Sequence, residues 1–294
     1  MTNSTESQGS VTPAQESMQK SSDARGFVAL DNAAFPLFEP GTVWLVGAGP
    51  GAPGLLTLLG YHALQTADIV VYDALVGKHI LSWARTSAQM EYAGKRGGKL
   101  SHNQRDISDR LVELAKSGKR VLRLKGGDPF IFGRGGEECQ ALMAAGIRFR
   151  IVPGISAGVG GLAYAGIPVT HRQTNQSVIF LTGHDASGAI PAGVDWKAVG
   201  TASPVLVMYM AVKNLPEISE KLLDAGRERS DAVAVIANAT LAEQKVVETT
   251  LGQAGEMAGR GELPTPAIVV IGPVVDLKKQ LTWYNDQLRQ NAIG

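Results

Sequence analysis

The chain has 294 residues, with 28 Lys and Arg against 27 Asp and Glu and a formal net charge of +1. So even a balance excludes a general nucleic-acid binder, which needs a broad phosphate-neutralising surface. A content of 44% apolar and 19% charged residues excludes a disordered chain, and one cysteine, Cys139, excludes an internal disulfide and a multi-thiolate metal site.

Residues Met1 to Gly26 are rich in Ser, Thr and Gln and hold no apolar segment. They read as a disordered tail rather than a secretory signal. The tail is taken to residue 40, with order starting near Gly41. No apolar run approaches the ~18–20 residues of a membrane span, so no membrane partner and a cytoplasmic location are expected.

Thr42 to Ala48 is a short apolar run ending in glycines and predicts a buried strand. Leu55, Leu56, Leu58, Leu59 and Leu64 predict a helix packed on a sheet. Asp68 to Asp73 predicts a second strand. Asn103 to Lys116 places Ile107, Leu111 and Leu114 on one helical face, with Gly118 as its stop. Arg120 to Leu124 predicts a strand, Glu137 to Ala145 a helix stopped by Gly146, and Phe149 to Val152 a strand ended by Pro153-Gly154. Beyond residue 170, strands are predicted at Ser177–Thr182, Pro204–Met210, Ala232–Ala237 and Ala267–Ile271, and a helix at Glu217–Ala225 before Gly226. Gln244 to Thr250 is rich in β-branched residues and is left open as an antiparallel strand. The alternation predicts an α/β fold with mainly parallel sheets. The Gly-, Ala- and Pro-rich stretch from Pro153 to Pro168 reads as a boundary, dividing the chain into domains over residues 41–156 and 157–284, with a tail over 285–294.

Glycine makes up 35 residues, about 12% against an ordinary ~7%, and it clusters after strands. Gly47-Ala48-Gly49-Pro50-Gly51-Ala52 satisfies the relaxed dinucleotide fingerprint G-x-G-x-x-A, with Asp73 available as a ribose acid. This is the basis of a rival reading as a nicotinamide-dependent oxidoreductase. Pro50 and Pro53 oppose that reading, because they have no N–H to offer a pyrophosphate. The run Lys125-Gly126-Gly127-Asp128-Pro129-Phe130-Ile131-Phe132-Gly133-Arg134-Gly135-Gly136-Glu137-Glu138 is more specific. It follows a strand, where open α/β sheets bind ligands, and it combines permissive backbone with aromatic rings, a carboxylate and a guanidinium. Ser156 is read as a helix cap, and Thr170-His171-Arg172 and Thr182-Gly183-His184-Asp185 offer further polar groups. No phosphate-binding G-x-x-x-x-G-K-[ST], zinc-binding H-E-x-x-H or G-x-S-x-G nucleophile elbow occurs. The five histidines show no metal-ligand spacing, so no metal is expected. Cys139 falls inside a predicted helix and is not read as a nucleophile.

Val46-Gly47-Ala48-Gly49-Pro50-Gly51, Lys95-Arg96-Gly97-Gly98 and the loop from Lys125 to Glu138 resemble the tetrapyrrole methylase family. The resemblance runs from about Gly41 to Trp283. Tyr164-Ala165-Gly166-Ile167-Pro168 with Thr170-His171-Arg172 is similar to the single-function C-methyltransferases of that family. The resemblance implies two α/β domains around a cleft, a homodimer, S-adenosylmethionine as methyl donor and S-adenosylhomocysteine as its product. It implies methylation only, with no dehydrogenase or iron-chelatase module. The implied acceptor is uroporphyrinogen III, methylated twice through precorrin-1 to precorrin-2 on the way to sirohaem, cobalamin or haem d1.

Carried over to this sequence, the resemblance implies that Pro50 lines the cofactor site. It assigns Gly126, Gly127 and Asp128, with Ile131 beside them, to the methionine and ribose portion of the donor. Ser156-Ala157 matches another cofactor-side pair, and Met210, Ala239 and Ala267 match adenosine contacts. It implies catalytic positions at Asp73, Arg134 and Glu137, with Arg134 holding the acceptor while Glu137 or water takes the proton. Arg172, His184, Lys95 and Arg96 match acceptor-binding positions. One departure stands out: Ala52 occupies the place after Gly-Pro-Gly where the family usually has Asp.

Overall fold

β1 (Val43–Gly47) lies inside an all-parallel sheet, between two neighbouring strands, and is buried at every residue. Parallel strands covered on both faces read as continuous apolar runs, and Val-Trp-Leu-Val fits that rule. The remaining strands of this sheet are β2 (Ile69–Tyr72), β3 (Gln89–Tyr92), β4 (Val121–Lys125) and β5 (Phe149–Val152), in the spatial order β3-β2-β4-β1-β5. The computed structural model describes residues 35–93 and 104–284, and the chain from Phe38 onward forms one compact unit. The expected tails over residues 1–34 and 285–294, and Lys95 and Arg96, lie outside the described residues.

Alternate side chains of the strands serve two cores. Trp44, Val46, Val70, Leu122 and Leu124 pack with Ala63 and Leu64 of helix Leu58–Thr66. Val43, Leu45, Ile69 and Val121 pack on the other face with Leu111 and Leu114 of helix Gln104–Lys116 and Leu142 of helix Gly135–Ala144. The Thr57 hydroxyl caps the first of these helices by accepting from Gly60 N–H at 3.1 Å. The predicted stops Gly118, Gly146 and Gly226 all hold positive φ, as a left-handed C-terminal cap requires. Cys139 is buried in its helix, and burial together with the Glu138 charge pushes its thiol up to about 11, which fits packing rather than nucleophilic use.

The second sheet contains β6 (Ile179–Thr182), β7 (Leu206–Tyr209), β8 (Ala232–Ala237), β9 (Lys245–Thr250) and β10 (Ala267–Ile271), in the order β6-β7-β10-β8-β9. Helices Leu215–Asp224 and Leu251–Gly259 cover one face through Leu215, Ile218, Leu222, Leu251 and Ala254. Helix Ala157–Tyr164 covers the other through Leu162, against Val205, Val207, Ile236 and Val270. No helix among the described residues is long and apolar enough to cross a membrane.

Two expectations need correction. The second sheet is mixed, not mainly parallel: only β6 and β7 run parallel, while β10 is antiparallel to both β7 and β8, and β9 to β8. Strand–helix alternation reports spacing along the chain and carries no direction; the short β8–β9 connection, residues 238–244, makes a hairpin. Packed structure also begins before Gly41. Phe38 is fully buried and its ring stacks on Trp44 at 4.4 Å. The Pro153–Pro168 stretch, read as a boundary with Ser156 as a helix cap, contains the helix Ala157–Tyr164 directly after Ser156. Its glycines mark close packing: a Cβ on Gly158 would lie 2.3 Å from the Tyr209 hydroxyl, and one on Gly161 2.8 Å from Ala239 Cβ. Strand β3 and helices Trp196–Ala202 and Leu251–Gly259 also escaped the sequence pattern. β3 is an edge strand with an exposed, non-alternating face, which removes the periodic signal.

Candidate functional site

The C-terminal ends of β1, β2, β4 and β5 open on one side of the first sheet. Open α/β sheets bind ligands there, near the point where strand order reverses. The loops after these strands meet backbone to backbone. A Cβ on Gly47 would lie 2.5 Å from the Gly127 carbonyl oxygen, and one on Gly154 only 2.2 Å from the same atom. Gly127 has φ +66° and exchanges hydrogen bonds with Gly49 in both directions, at 2.7 and 3.2 Å. Gly126 N–H donates to Asp73 Oδ1 at 3.3 Å. The N–H groups of Gly126 and Gly127 are therefore engaged within the protein, and these glycines offer a ligand room rather than donors.

Asp128 ties the loop down. Its Oδ1 accepts from Phe130 N–H at 2.8 Å and its Oδ2 from Gly154 N–H at 3.0 Å. The second sheet contributes the ends of β7 and β8 and the start of β10. Because β10 is antiparallel to both, with Ile268 opposite Tyr209 and Ala267 opposite Ala237, all three termini fall at the same edge. The result is a cavity of about 580 Å³ between the two sheets.

Pro50, Gly126, Gly127, Asp128, Ile131 and the pair Ser156-Ala157 line this cavity from the first sheet's side. Met210, Ala239 and Ala267 line it from the second, and Asp73 and Arg134 also reach it. A second, more open cavity of about 720 Å³ adjoins it and is lined by Glu137 and His184. The two share Phe132, Arg134 and Met210, which therefore form the partition between them. Arg172 does not line either cavity; it is exposed on the turn of residues 171–174, where His171 and Asn175 make an isolated bridge.

The partition is also where the backbone departs from ordinary conformations. Phe132, Arg134 and Met210 have φ of 52°, 60° and 54°, and Asn238, in the wall of the first cavity, has 47°. Non-glycine residues in the left-handed region cost energy and concentrate at functional sites. Arg134 is half exposed, and its Nε donates to Glu137 Oε1 at 3.2 Å. Burial would raise the Glu137 carboxyl, but its own backbone N–H, the Arg134 side chain and the Lys125 charge outweigh that and hold it below the usual range.

Sequence reasoning assigned no role to Tyr209, Arg123, Lys125 or Glu138. The Ser156 side chain makes no capping bond; its Oγ pairs instead with the Tyr209 hydroxyl at 2.5 Å, and that hydroxyl also accepts from Gly158 N–H at 2.9 Å. Burial raises the Tyr209 phenol above its ordinary value despite these bonds. Arg123 and Lys125 line the cavity from beneath, buried with Glu138. Burial pushes the Lys125 ammonium down, the Arg123 charge adds to this, and Glu138 and Asp73 oppose it. An apolar strand with charged residues at alternate positions, Arg123 and Lys125, followed by a helix opening on two glutamates, was the available signal for this cluster. Among the described residues, no group of three or more His, Cys, Asp or Glu could hold a metal ion.

Ala52 occupies the cap position of the short 3₁₀ turn Pro53–Leu55, with extended backbone and no side-chain capping bond. Its N–H donates to Thr240 Oγ1 at 2.8 Å. Pro53 has no N–H and Leu55 N–H already donates to the Ala52 carbonyl at 3.0 Å, so an aspartate at position 52 can accept from Gly54 N–H without disturbing the bond to Thr240. Ala52→Asp is therefore expected to stabilise the protein by about 0.5–1 kcal/mol, read as a rise of ~2 °C in Tm. An unchanged or lower Tm counts against the capping argument.

Known proteins share this arrangement. Residues 42–255 match the family described as Tetrapyrrole (Corrin/Porphyrin) Methylases. A uroporphyrinogen-III C-methyltransferase from Sinorhizobium sp is 57% identical over 251 residues, covering 85% of this chain and 90% of the relative. Siroheme synthase 1 of Yersinia enterocolitica is 46% identical over 96% of this chain, which spans only 56% of that longer relative. Among solved structures, the uroporphyrin-III C-methyltransferase of Thermus thermophilus complexed with S-adenosylhomocysteine aligns with a TM-score of 0.70 at 35% identity, covering 80% of this chain and 99% of that one.

Proposed function

The chain belongs to the tetrapyrrole (corrin/porphyrin) methylase family, and from that premise we propose that it methylates uroporphyrinogen III twice, by way of precorrin-1, to give precorrin-2. The observation that carries this reading is the pair of adjoining cavities that share Phe132, Arg134 and Met210. A donor in the glycine-lined cavity and an acceptor in the open one would meet at that partition.

S-adenosylmethionine, when bound, supplies a methyl carbon already activated by its sulfonium. The cavity fits such a donor: close backbone packing of Gly47, Gly127 and Gly154 shapes the floor, and Pro50, Ile131, Ala157, Met210, Ala239 and Ala267 give it apolar walls. Asp128 keeps the loop in place through its two backbone bonds. The protein's main contribution to such a displacement is alignment, for which effective molarities reach about 10⁵–10⁸ M. Arg134 presents a permanent cation to the carboxylate side chains of the acceptor, and His184 lines the same space. Glu137, held as an anion beside Arg134, is the proton acceptor in this reading. A guanidinium stays protonated and does not serve as a neutral base. Asp73 faces the donor cavity from the end of β2. Arg172, Lys95 and Arg96 remain proposals for outer contacts with the acceptor.

The same reading includes a homodimer and a cytoplasmic location as inferences from the family. A division into domains at residues 41–156 and 157–284 is supported by two sheets that share no strand and by apolar clusters that belong to one sheet or the other. The test is to incubate the protein with uroporphyrinogen III and S-adenosylmethionine and weigh the product. Two added methyl groups, with saturable binding of S-adenosylhomocysteine and none of NAD, are expected. Binding without transfer would reduce the protein to a tetrapyrrole or nucleoside binder.

A further inference from the structure

Beneath the glycine-lined wall lies a set of charges that the proposed reaction does not use. Glu138 is fully buried, and its Oε1 accepts from Arg123 Nε at 3.0 Å and from Lys125 Nζ at 3.2 Å. Both cations are themselves 3% exposed. Arg123 Nη1 makes two long bonds, at 3.4 Å, to the carbonyls of Val71 and Leu124. Its Nη2 lies 3.8 Å from Asp73 Oδ2.

Asp73 is the outermost member and the one that borders the donor cavity. Its remaining anchors are weak, since the N–H groups of Leu75 and Gly126 both reach Oδ1 at 3.3 Å. Long hydrogen bonds orient a carboxylate loosely; the Arg123 guanidinium at 3.8 Å adds charge attraction rather than a hydrogen bond, and where that charge sits is set by the bond its Nε makes to Glu138. A buried ion pair is a poor stabiliser compared with packed apolar side chains of the same volume. Its presence against the cavity wall therefore points to orientation rather than to stability.

We propose that Glu138 is a positioning residue for methyl transfer: by holding the Arg123 guanidinium in plane, it fixes the carboxylate of Asp73 at the wall of the donor cavity. The inference rests on reading that cavity as the methyl-transfer site. Glu138 begins the same helix as Glu137, which faces the acceptor side and pairs with Arg134. One helical turn thus ties the acceptor mouth to the far wall of the donor cavity. Lys125 balances the set, giving two cations against Glu138 and Asp73.

The experiment is a double-mutant cycle in the full chain, with labelled S-adenosylmethionine and uroporphyrinogen III, alongside S-adenosylhomocysteine binding by calorimetry. Asp73→Asn and Glu138→Gln are each expected to lower kcat by about 10- to 100-fold, with donor affinity within about twofold. The combined variant is expected to be no slower than Asp73→Asn alone, because Glu138 acts only through Asp73. Additive losses would overturn the proposal, since a merely structural role for Glu138 does not depend on Asp73. If Glu138→Gln leaves the two buried cations with Asp73 alone against them and does not fold, Lys125→Met with Glu138→Gln removes one charge of each sign and takes its place in the cycle. Failure of both to fold assigns the charges to the fold and also overturns the proposal. Absence of transfer by the unaltered protein would instead bring down the functional reading on which this rests.

Discussion

Gly154→Ala is expected to abolish binding of S-adenosylhomocysteine and to cost about 3 kcal/mol or more of stability. The new Cβ would stand 2.2 Å from the Gly127 carbonyl oxygen and 2.7 Å from Gly47 Cα. All the atoms it meets are backbone, so no side chain can rotate away. Overpacking of a tight interior costs typically about 1–3 kcal/mol. Displacing Gly154 also breaks its N–H bond to Asp128 Oδ2, which adds the cost of an unmet buried hydrogen bond, about 1 kcal/mol or more. The same displacement moves Gly127, and with it the floor of the donor cavity. Urea unfolding and calorimetric titration measure the two effects. Gly259→Ala is the control, because a Cβ there meets nothing within 4 Å; it should unfold at the same urea concentration as the unaltered protein, or slightly higher. A Gly154→Ala protein that binds the donor product normally would show that the strand ends do not form the donor site.

Arg134→Gly is expected to make the protein more stable and nearly inactive. Arg134 has φ +60°, a conformation that costs a non-glycine residue roughly 1–2 kcal/mol and glycine almost nothing. The side chain gives little back, since its pair with Glu137 joins two half-exposed groups on one helical turn, worth about 0.5 kcal/mol at most. Glycine also loses more backbone entropy on folding, about 0.5 kcal/mol or more, so stability should rise by about 0.5 kcal/mol. Turnover should fall on the order of 100-fold, the scale of a lost charge-assisted contact with the acceptor. The donor product should bind as before, because Arg134 stands at the partition and not on the cavity floor. Retained turnover would remove Arg134 from the reaction. An unchanged or lower Tm would show that its backbone stores no strain.

The two substitutions probe opposite features of one site. At Gly154 the fold excludes a side chain because three loops touch through their backbones. At Arg134 the fold keeps a side chain where the backbone would favour none. Phe132 and Met210 share this second condition, and all three stand between the cavities. Strain at that partition is the expected cost of aiming side chains into both spaces from short loops.

Much of the fold was legible in the residues in order. Apolar runs marked β1, β2 and β4 of the first sheet to within a residue or two, and β5, β8 and β10 at their observed limits, because burial and turn chemistry are local properties; β3 at the sheet edge left no such mark. The loop from Lys125 to Glu138 was singled out because few structural loops combine those residue types, and its residues line the cavity between the sheets. What only the tertiary structure decided depends on contacts between distant segments. The glycine-rich stretch around helix Ala157–Tyr164 reads only as a boundary until Tyr209, Pro50 and Ala239 are seen to occupy the space its side chains would need. Ser156 reads as a cap until the Tyr209 hydroxyl is placed beside it. Strand direction in the second sheet, the buried Arg123–Glu138–Lys125 cluster and the position of Arg172 outside both cavities have no periodic signature. A residue's neighbours along the chain set its conformational preference, but its charge partners and the space left for its side chain come from strands brought together by folding.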